Sequence, residues 1–92
     1  MIRRLIAERE RLYRDLVQLE FLRPFPSQAN FVFCHVLRGD AGEIKQQLEQ
    51  EGILVRVYAD PLLRNALRFS VGTPQQTDIL IERLRTIGRT LA

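Results

Sequence analysis

The residues best suited to chemistry lie in the segment 67–74, Leu-Arg-Phe-Ser-Val-Gly-Thr-Pro, where Arg68 interrupts an apolar run that leads into a helix start. A guanidinium keeps its charge and offers five N–H donors in a planar fork. If this strand is buried, that charge requires a partner. The closest acidic residues in sequence, Asp60 and Asp78, lie outside the strand. Arg68 is therefore expected to meet either a distant carboxylate or an anionic ligand.

Length and composition predict one globular domain. The chain has 92 residues, of which 46% are apolar and 27% charged, values ordinary for a soluble fold with a single modest core. No apolar run approaches the roughly 20 residues of a membrane-spanning helix. The first residues lack the apolar core of a secretory signal, and the single Cys34 cannot form an internal disulfide. These features predict a cytoplasmic protein.

The basic balance, a net charge of +3 and a pI near 9.8, raises the question of nucleic-acid binding. The charges of the first helical segment are interspersed in sign, which is typical of a solvated helix face. Neither a basic run with aromatics nor a zinc-ligand spacing is present, so no nucleic-acid partner is predicted. Oppositely charged pairs four residues apart are Arg4 with Glu8, Glu10 with Arg14, and Arg11 with Asp15.

Hydrophobic periodicity predicts a helix over 2–20 and a strand over 30–36 that is buried on both faces. A second helix is predicted over 41–51. Asp40 is its expected N-cap, and Gly52 is expected to end it.

Two further strands are expected, at 53–58 and 66–71, although the segment 58–66 has no interpretable pattern. Thr73 and Pro74 are a good N-cap and first residue for a final helix. The predicted order is α-β-α-β-β-α, an α+β fold whose sheet of about three strands has helices on one face. The expected apolar stripe of the last helix comprises Ile79, Leu80, Leu84, Ile87 and Leu91.

Three motifs together resemble a known family. They are Pro-Ser-Gln-Ala-Asn-Phe at 26–31, Gly-Ile-Leu-Val-Arg at 52–56 and Leu-Arg-Phe-Ser-Val-Gly-Thr-Pro at 67–74. In this order and spacing they are similar to the C-terminal small domain of the histidinol-phosphate aminotransferases, which are fold-type I enzymes dependent on pyridoxal phosphate. The resemblance covers nearly the whole chain and implies that residues 1–92 form such a small domain, without the large cofactor-binding domain.

The resemblance implies roles for three residues. Arg68 corresponds to the arginine that grips the substrate α-carboxylate, and Arg56 to a further anion-binding group near the substrate's phosphate or carboxylate. A strand-end arginine such as Arg56 is equally often only solvated. Asn30 either contacts the substrate side or, as the simpler interpretation, satisfies backbone groups where the strand begins.

Other residues favour structural roles. His35 lies in an apolar strand without a second histidine to share a metal, and Cys34 is typical of a small buried hydrophobe. Gly72 is expected to supply permissive dihedral angles before the Thr73 cap. The only lysine, Lys45, is expected to be an ordinary surface residue rather than the Schiff-base lysine of the family.

The missing lysine and cofactor-binding residues imply that the free chain neither binds pyridoxal phosphate stably nor catalyses transamination. Three interpretations stay open: a fragment of the parent enzyme, the small domain of a related decarboxylase or aromatic aminotransferase, and a non-catalytic interaction module. A domain separated from its partner exposes apolar surface. We therefore expect a homo-oligomer, held through the first helix around Leu5, Leu12 and Leu16.

Overall fold

The sheet at the centre of the fold has four strands in the spatial order β1-β2-β4-β3, and every neighbouring pair is antiparallel. The computed structural model describes residues 3–26, 29–53, 55–57 and 65–91. The elements, in chain order, are α1 (Arg3–Val17), β1 (Leu22–Pro24), β2 (Phe31–Val36), α2 (Ala41–Gln50), β3 (Arg56–Val57), β4 (Ala66–Ser70) and α3 (Pro74–Thr90).

The predicted α+β class is confirmed, but the expectation of about three strands missed β1. This strand has only three residues and ends in Pro24. Proline has no N–H to donate, which suits an edge strand. Because proline is also common in turns, the sequence of this segment predicts a turn rather than a strand. β1 pairs with β2, placing Arg23 opposite His35. Within the predicted strand 53–58 the described pairing is confined to Arg56–Val57, while Leu54 and Tyr58 lie outside the described residues.

The strand β2 is buried on one face only, so the prediction of burial on both faces is wrong. Val32, Cys34 and Val36 are buried, whereas the alternate side chains Phe31, Phe33 and His35 are half-buried. The reason is that the helices lie on one side of the sheet: α1 packs on β1 and β2, α2 packs on β3 and β4, and α3 packs on both helices. The strands therefore have a helix-covered face and a second face that these helices leave open.

The hydrophobic core fills the space between the helices and the covered face. Leu12 and Leu16 of α1 are at most 1% exposed. The expectation that these two residues form an exposed self-association surface is therefore wrong, since they are part of the core. In α3 the predicted stripe is confirmed for Leu80, Leu84 and Ile87, but Ile79 is 49% exposed. The 3.6-residue period places Ile81, rather than Ile79, on the buried side of that helix.

The predicted ends of α2 are confirmed. The Asp40 carboxylate accepts a hydrogen bond from the Glu43 backbone N–H at 3.0 Å. At the other end Gly52 has a φ of +80°. The N–H groups of Gly52 and Ile53 donate to the carbonyls of Glu49 and Leu48, which is the paired arrangement of a Schellman motif.

The start of α3 is fixed by a reciprocal capping box. The Thr73 hydroxyl accepts from the Gln76 backbone N–H at 3.2 Å, and the Gln76 side-chain oxygen accepts from the Thr73 N–H at 2.9 Å. Gly72 does not adopt a positive φ, so its expected dihedral role is wrong. A Cβ at Gly72 would overlap the Gln76 side-chain oxygen. Glycine lets the Gln76 side chain pass close to the backbone, whereas a Cβ here would displace that side chain from its capping position.

The charge pairs of α1 agree only in part with the sequence pattern. The predicted pair of Arg11 and Asp15 is present, with 3.7 Å between Arg11 Nε and Asp15 Oδ2. Arg11 also hydrogen-bonds Asp78 in the first part of α3. Among the described residues, Arg4 with Glu8 and Glu10 with Arg14 are not ion pairs, because Glu8 and Glu10 contact Arg11 and Arg9 instead. The Arg11–Asp78 pair ties α1 to the beginning of α3.

Candidate anion-binding face

Two of the three site residues expected from the sequence, Arg56 and Arg68, lie together on the uncovered side of the sheet. We call this surface the open face and define it by side chains that share one side of the strands. Directly opposed residues of antiparallel strands project to the same face, which groups Phe33 with Arg68, Arg56 with Arg68, and Phe31 with Ser70. The open face comprises Arg23, Phe25, Phe31, Phe33, His35, Arg56, Arg68 and Ser70.

Arg68 is half-buried rather than enclosed in an apolar strand. Its guanidinium carbon lies 4.9 Å from the centre of the Phe31 ring, within the range of a cation–π contact. No carboxylate among the described residues pairs with it. Asp78, one of the two acids closest in sequence, is bonded to Arg11, while Asp60 lies outside the described residues. The described part of the chain thus leaves the Arg68 donors available to a ligand.

Arg56 lies directly opposite Arg68 in the β3–β4 pair and is exposed. Two like charges at opposed positions of one face repel each other and destabilise the sheet slightly. The described strands carry no acidic residue that could separate the two guanidinium groups. An anion between or beside the two cations would offset this repulsion.

Asn30 is at the entrance of β2 and is exposed. Its backbone carbonyl accepts a hydrogen bond from the Val71 N–H at 2.9 Å, which links the start of β2 to the end of β4. Within the described residues its side-chain amide makes no hydrogen bond. The described link at this position is therefore made by the Asn30 backbone, and a role for its amide stays a prediction.

Asn65 is a positioning residue that no motif in the sequence indicates. It has a φ of +53°, a region that asparagine tolerates better than most residues. Its side-chain N–H group donates to the carbonyls of Val36 and Gly39 at 2.9 and 3.0 Å, and its side-chain oxygen accepts from the Ala41 N–H at 2.7 Å. These bonds join the end of β2, the start of α2 and the start of β4. The only signal in the sequence is an asparagine just before a strand.

The other half of the open face is an aromatic cluster. The rings of Phe25, Phe33 and His35 lie with their centres 5.3–5.6 Å apart, in tilted and edge-to-face contacts. The guanidinium carbon of Arg23 lies 5.7 Å from the centre of the Phe25 ring. The prediction that His35 is a packed histidine is consistent with these contacts. The cluster gives the open face an apolar, cation-rich character.

Cys34 projects to the opposite, helix-covered face and is fully buried. Burial raises the pKa of its thiol to about 12, because the thiolate would lose its hydration. This agrees with the prediction of a small buried hydrophobe rather than a nucleophile. Among the described residues no cluster of three or more histidine, cysteine or acidic side chains could hold a metal ion.

Comparison with known proteins identifies relatives over nearly the whole chain. The profile of the aminotransferase class I and II family matches residues 1–84. Histidinol-phosphate aminotransferase from Dehalococcoides mccartyi is 45% identical over 87 residues, which are 95% of this chain and 24% of that protein. The chloroplastic histidinol-phosphate aminotransferase 1 of Arabidopsis thaliana is 43% identical over 82 residues, 88% of this chain and 20% of that protein. The chain thus spans about a quarter of the relatives it matches.

Solved structures give the same fold. Histidinol-phosphate aminotransferase from Sinorhizobium meliloti, in complex with pyridoxal-5'-phosphate, superposes with a TM-score of 0.83 at 28% identity, covering 97% of this chain and 25% of that one. The L-threonine-O-3-phosphate decarboxylase of Porphyromonas gingivalis superposes with a TM-score of 0.85 at 25% identity, covering 94% of this chain and 27% of that one.

The described residues do not fit a pyridoxal phosphate site. Such a site in this family needs a lysine for the cofactor aldehyde, and the only lysine of the chain is Lys45. It lies on α2, where its ammonium pairs with Glu49 one turn away. Helix α2 packs on the covered side of the sheet, so Lys45 and Arg68 belong to opposite layers.

No described helix is long and apolar enough to cross a membrane.

Proposed function

This chain belongs to the class I and II aminotransferase family, and we propose that it is the C-terminal small domain of a histidinol-phosphate aminotransferase. Its task there is to present the open face to the substrates of amino transfer between histidinol phosphate and 2-oxoglutarate. The observation that carries the proposal is Arg68 stacked on Phe31, with Arg56 directly opposite and no described carboxylate on the strands.

The chemistry of the two arginines suits these substrates. A guanidinium binds a carboxylate or a phosphate through two parallel N–H bonds, which fixes orientation as well as charge. Arg68, half-buried and oriented by a ring, is the group for the α-carboxylate of the amino acid or oxo acid. Arg56, exposed at the neighbouring strand, adds a second cation for a phosphate or a distal carboxylate. Asn30 borders the site through its place at the start of β2.

The catalytic centre itself lies outside this chain in the proposal. The large domain supplies the cofactor and its lysine, so that the chain binds and orients substrate without reacting with it. Purified chain mixed with pyridoxal phosphate is expected to give no stoichiometric aldimine absorbance, and Lys45→Arg is expected to leave the spectrum unchanged. A saturable band that disappears in Lys45→Arg would contradict this part of the proposal.

A related decarboxylase is the second candidate, because the threonine-phosphate decarboxylase superposes as well as the aminotransferase does. A stand-alone module that kept the fold without the chemistry is the third. The enzyme candidates share anionic substrates that carry an amino or oxo group, whereas a module requires no small anion.

We further propose a cytoplasmic location. Self-association would use exposed apolar side chains outside the core, which include Val17, Leu37 and Ile79.

Calorimetric titration of the chain with 2-oxoglutarate, histidinol phosphate, threonine phosphate and inorganic phosphate tests the proposal. Arg68→Gln is expected to weaken 2-oxoglutarate binding at least about tenfold, since charge-assisted hydrogen bonds contribute roughly 1.5–3 kcal/mol. Arg85→Gln, an exposed arginine on α3, is the matched control and is expected to bind as the wild type.

A preference for threonine phosphate over histidinol phosphate would favour the decarboxylase candidate. A different result would contradict both enzyme candidates: weak binding heats that are equal for every anion, are suppressed by salt, and do not differ between the wild type, Arg68→Gln and Arg85→Gln. The non-catalytic interaction module would then be the remaining candidate.

A further inference from the structure

Phe31 holds a position from which it controls the Arg68 side chain. It is the first residue of β2, directly opposite Ser70 and therefore diagonal to Arg68 on the same face. Diagonal neighbours in an antiparallel pair are within reach of aromatic and long side chains. The opposed residue Ser70 is small, which leaves room for the guanidinium carbon to lie 4.9 Å from the ring centre.

Stacking restrains a guanidinium in a way that an ion pair does not. A carboxylate partner would occupy N–H donors in the plane of the fork, whereas a ring contacts the π face and leaves those donors free. Arg68 has no ion pair with a described carboxylate, so the Phe31 ring is its principal described restraint. A ligand that arrives at the fork therefore meets an oriented group with its donors available.

The position of Arg56 adds a reason for such a restraint. The two guanidinium groups start from directly opposed residues, and their mutual repulsion favours conformations in which Arg68 turns away. An aliphatic side chain at position 31 would exclude water but would offer no quadrupole to a cation. A restraint on a cation at this distance therefore depends on the aromatic character of the residue rather than on its bulk.

We propose that Phe31 is a positioning residue that holds the Arg68 guanidinium, by cation–π stacking, in the orientation that binds a carboxylate. The inference rests on the proposed anion-binding role of Arg68, but its first readout, the conformation of Arg68 in the free chain, does not depend on that role. The ligand class is a small carboxylate such as an amino acid or an oxo acid.

The experiment measures the side-chain Nε–Hε resonances of the arginines by NMR in the 92-residue chain, before and during titration with 2-oxoglutarate. Phe31→Leu and Phe31→Met remove the ring, and Phe31→Tyr restores one. Phe25→Leu is the matched control, since Phe25 stacks with Arg23 on the same face. Melting curves verify that each variant is folded at the temperature of measurement.

Loss of the ring is expected to move the Arg68 resonance toward that of a free arginine and to weaken 2-oxoglutarate binding about three- to tenfold, while Phe31→Tyr retains both properties. Phe25→Leu is expected to move the Arg23 resonance and leave Arg68 unchanged. An Arg68 resonance and an affinity that match the wild type in either non-aromatic variant would overturn the proposal.

The proposed function fails separately if wild-type Arg68 does not respond to 2-oxoglutarate. In that case the Arg68 resonance of the free variants alone decides the positioning role. If Phe31→Leu is unfolded, Phe31→Met provides the same comparison, because its flexible side chain fills the space of the ring.

Discussion

The two faces of the sheet use the same strands for opposite purposes. The covered face of β2 and β4 consists of fully buried side chains such as Val32, Cys34 and Phe69. The open face of the same strands carries half-buried aromatics and a pair of opposed arginines without a described carboxylate. One face lowers the free energy of the fold, and the other carries two opposed like charges that bind an anion in the proposed function. In the proposed function, stability and recognition are thus separated by the two-residue alternation of side chains along a strand.

The largest expected difference in the loss of unfolding free energy is between Phe69→Ala on the covered face and Phe25→Ala on the open face. Phe69 is 0% exposed, and its truncation leaves a cavity that costs about 3–5 kcal/mol of unfolding free energy. Phe25 is 36% exposed, and loss of its ring contacts costs only about 1 kcal/mol. Urea denaturation monitored by circular dichroism measures both. Equal losses would contradict the division between a stabilising face and a proposed recognition face.

Asn65→Ala tests whether the link between the elements is as important as the core. The substitution removes three side-chain hydrogen bonds and places alanine at a φ of +53°. We expect a loss of about 2–4 kcal/mol of unfolding free energy. Asn65→Gly relieves the backbone strain without restoring the bonds, so it is expected to be less harmful. Equal stability of Asn65→Ala and wild type would show that these bonds are not formed in solution.

Thr73→Ala probes the helix layer alone. Loss of the capping hydroxyl is expected to cost about 1 kcal/mol, while Thr86→Ala, an exposed mid-helix threonine, should be nearly neutral. Anion binding should be unchanged in both variants, because neither side chain is on the open face. If Thr73→Ala weakened 2-oxoglutarate binding as strongly as Arg68→Gln does, the two faces would not be independent.

The smallest expected effect on the unfolding free energy is a gain rather than a loss. Arg56→Gln removes one of two opposed like charges, and we expect it to raise the unfolding free energy by a few tenths of a kcal/mol, about 0.2–0.5. The gain should shrink with added salt, which screens exposed charges. Arg85→Gln provides the comparison for removal of an exposed arginine. A loss of stability in Arg56→Gln at low salt would indicate a favourable partner for Arg56.

Sequence patterns predicted the parts of the fold that depend on local chemistry. The caps at Asp40, Gly52 and Thr73 each follow from residue types within four positions of a helix end. The strand β1 was missed because three residues ending in Pro24 carry no periodic signal and pair only through tertiary structure. Ile79 was placed in the core because its hydrophobicity alone does not distinguish adjacent positions of a helix turn.

The candidate site was predictable in composition but not in geometry. Arg68 and Arg56 came from motifs, whereas their direct opposition depends on the antiparallel β3–β4 register. The ring of Phe31 beneath Arg68 depends likewise on the β2–β4 register. Asn65 was missed because its three bonds reach residues 24–29 positions away. These contacts depend on the pairing of residues that are distant in sequence, and a single sequence does not show that pairing.

The most direct test of the central claim is a map of where 2-oxoglutarate binds. Backbone and arginine side-chain resonances of the wild type and of Arg68→Gln are followed during titration at constant ionic strength. We expect the Arg68 and Arg56 side chains and the open-face strand amides to shift along one saturable curve, and Arg68→Gln to abolish that curve. Arg83 and Arg85, exposed on α3, should not respond. Linear shifts of similar size at all four arginines, unaffected by Arg68→Gln, would contradict the account.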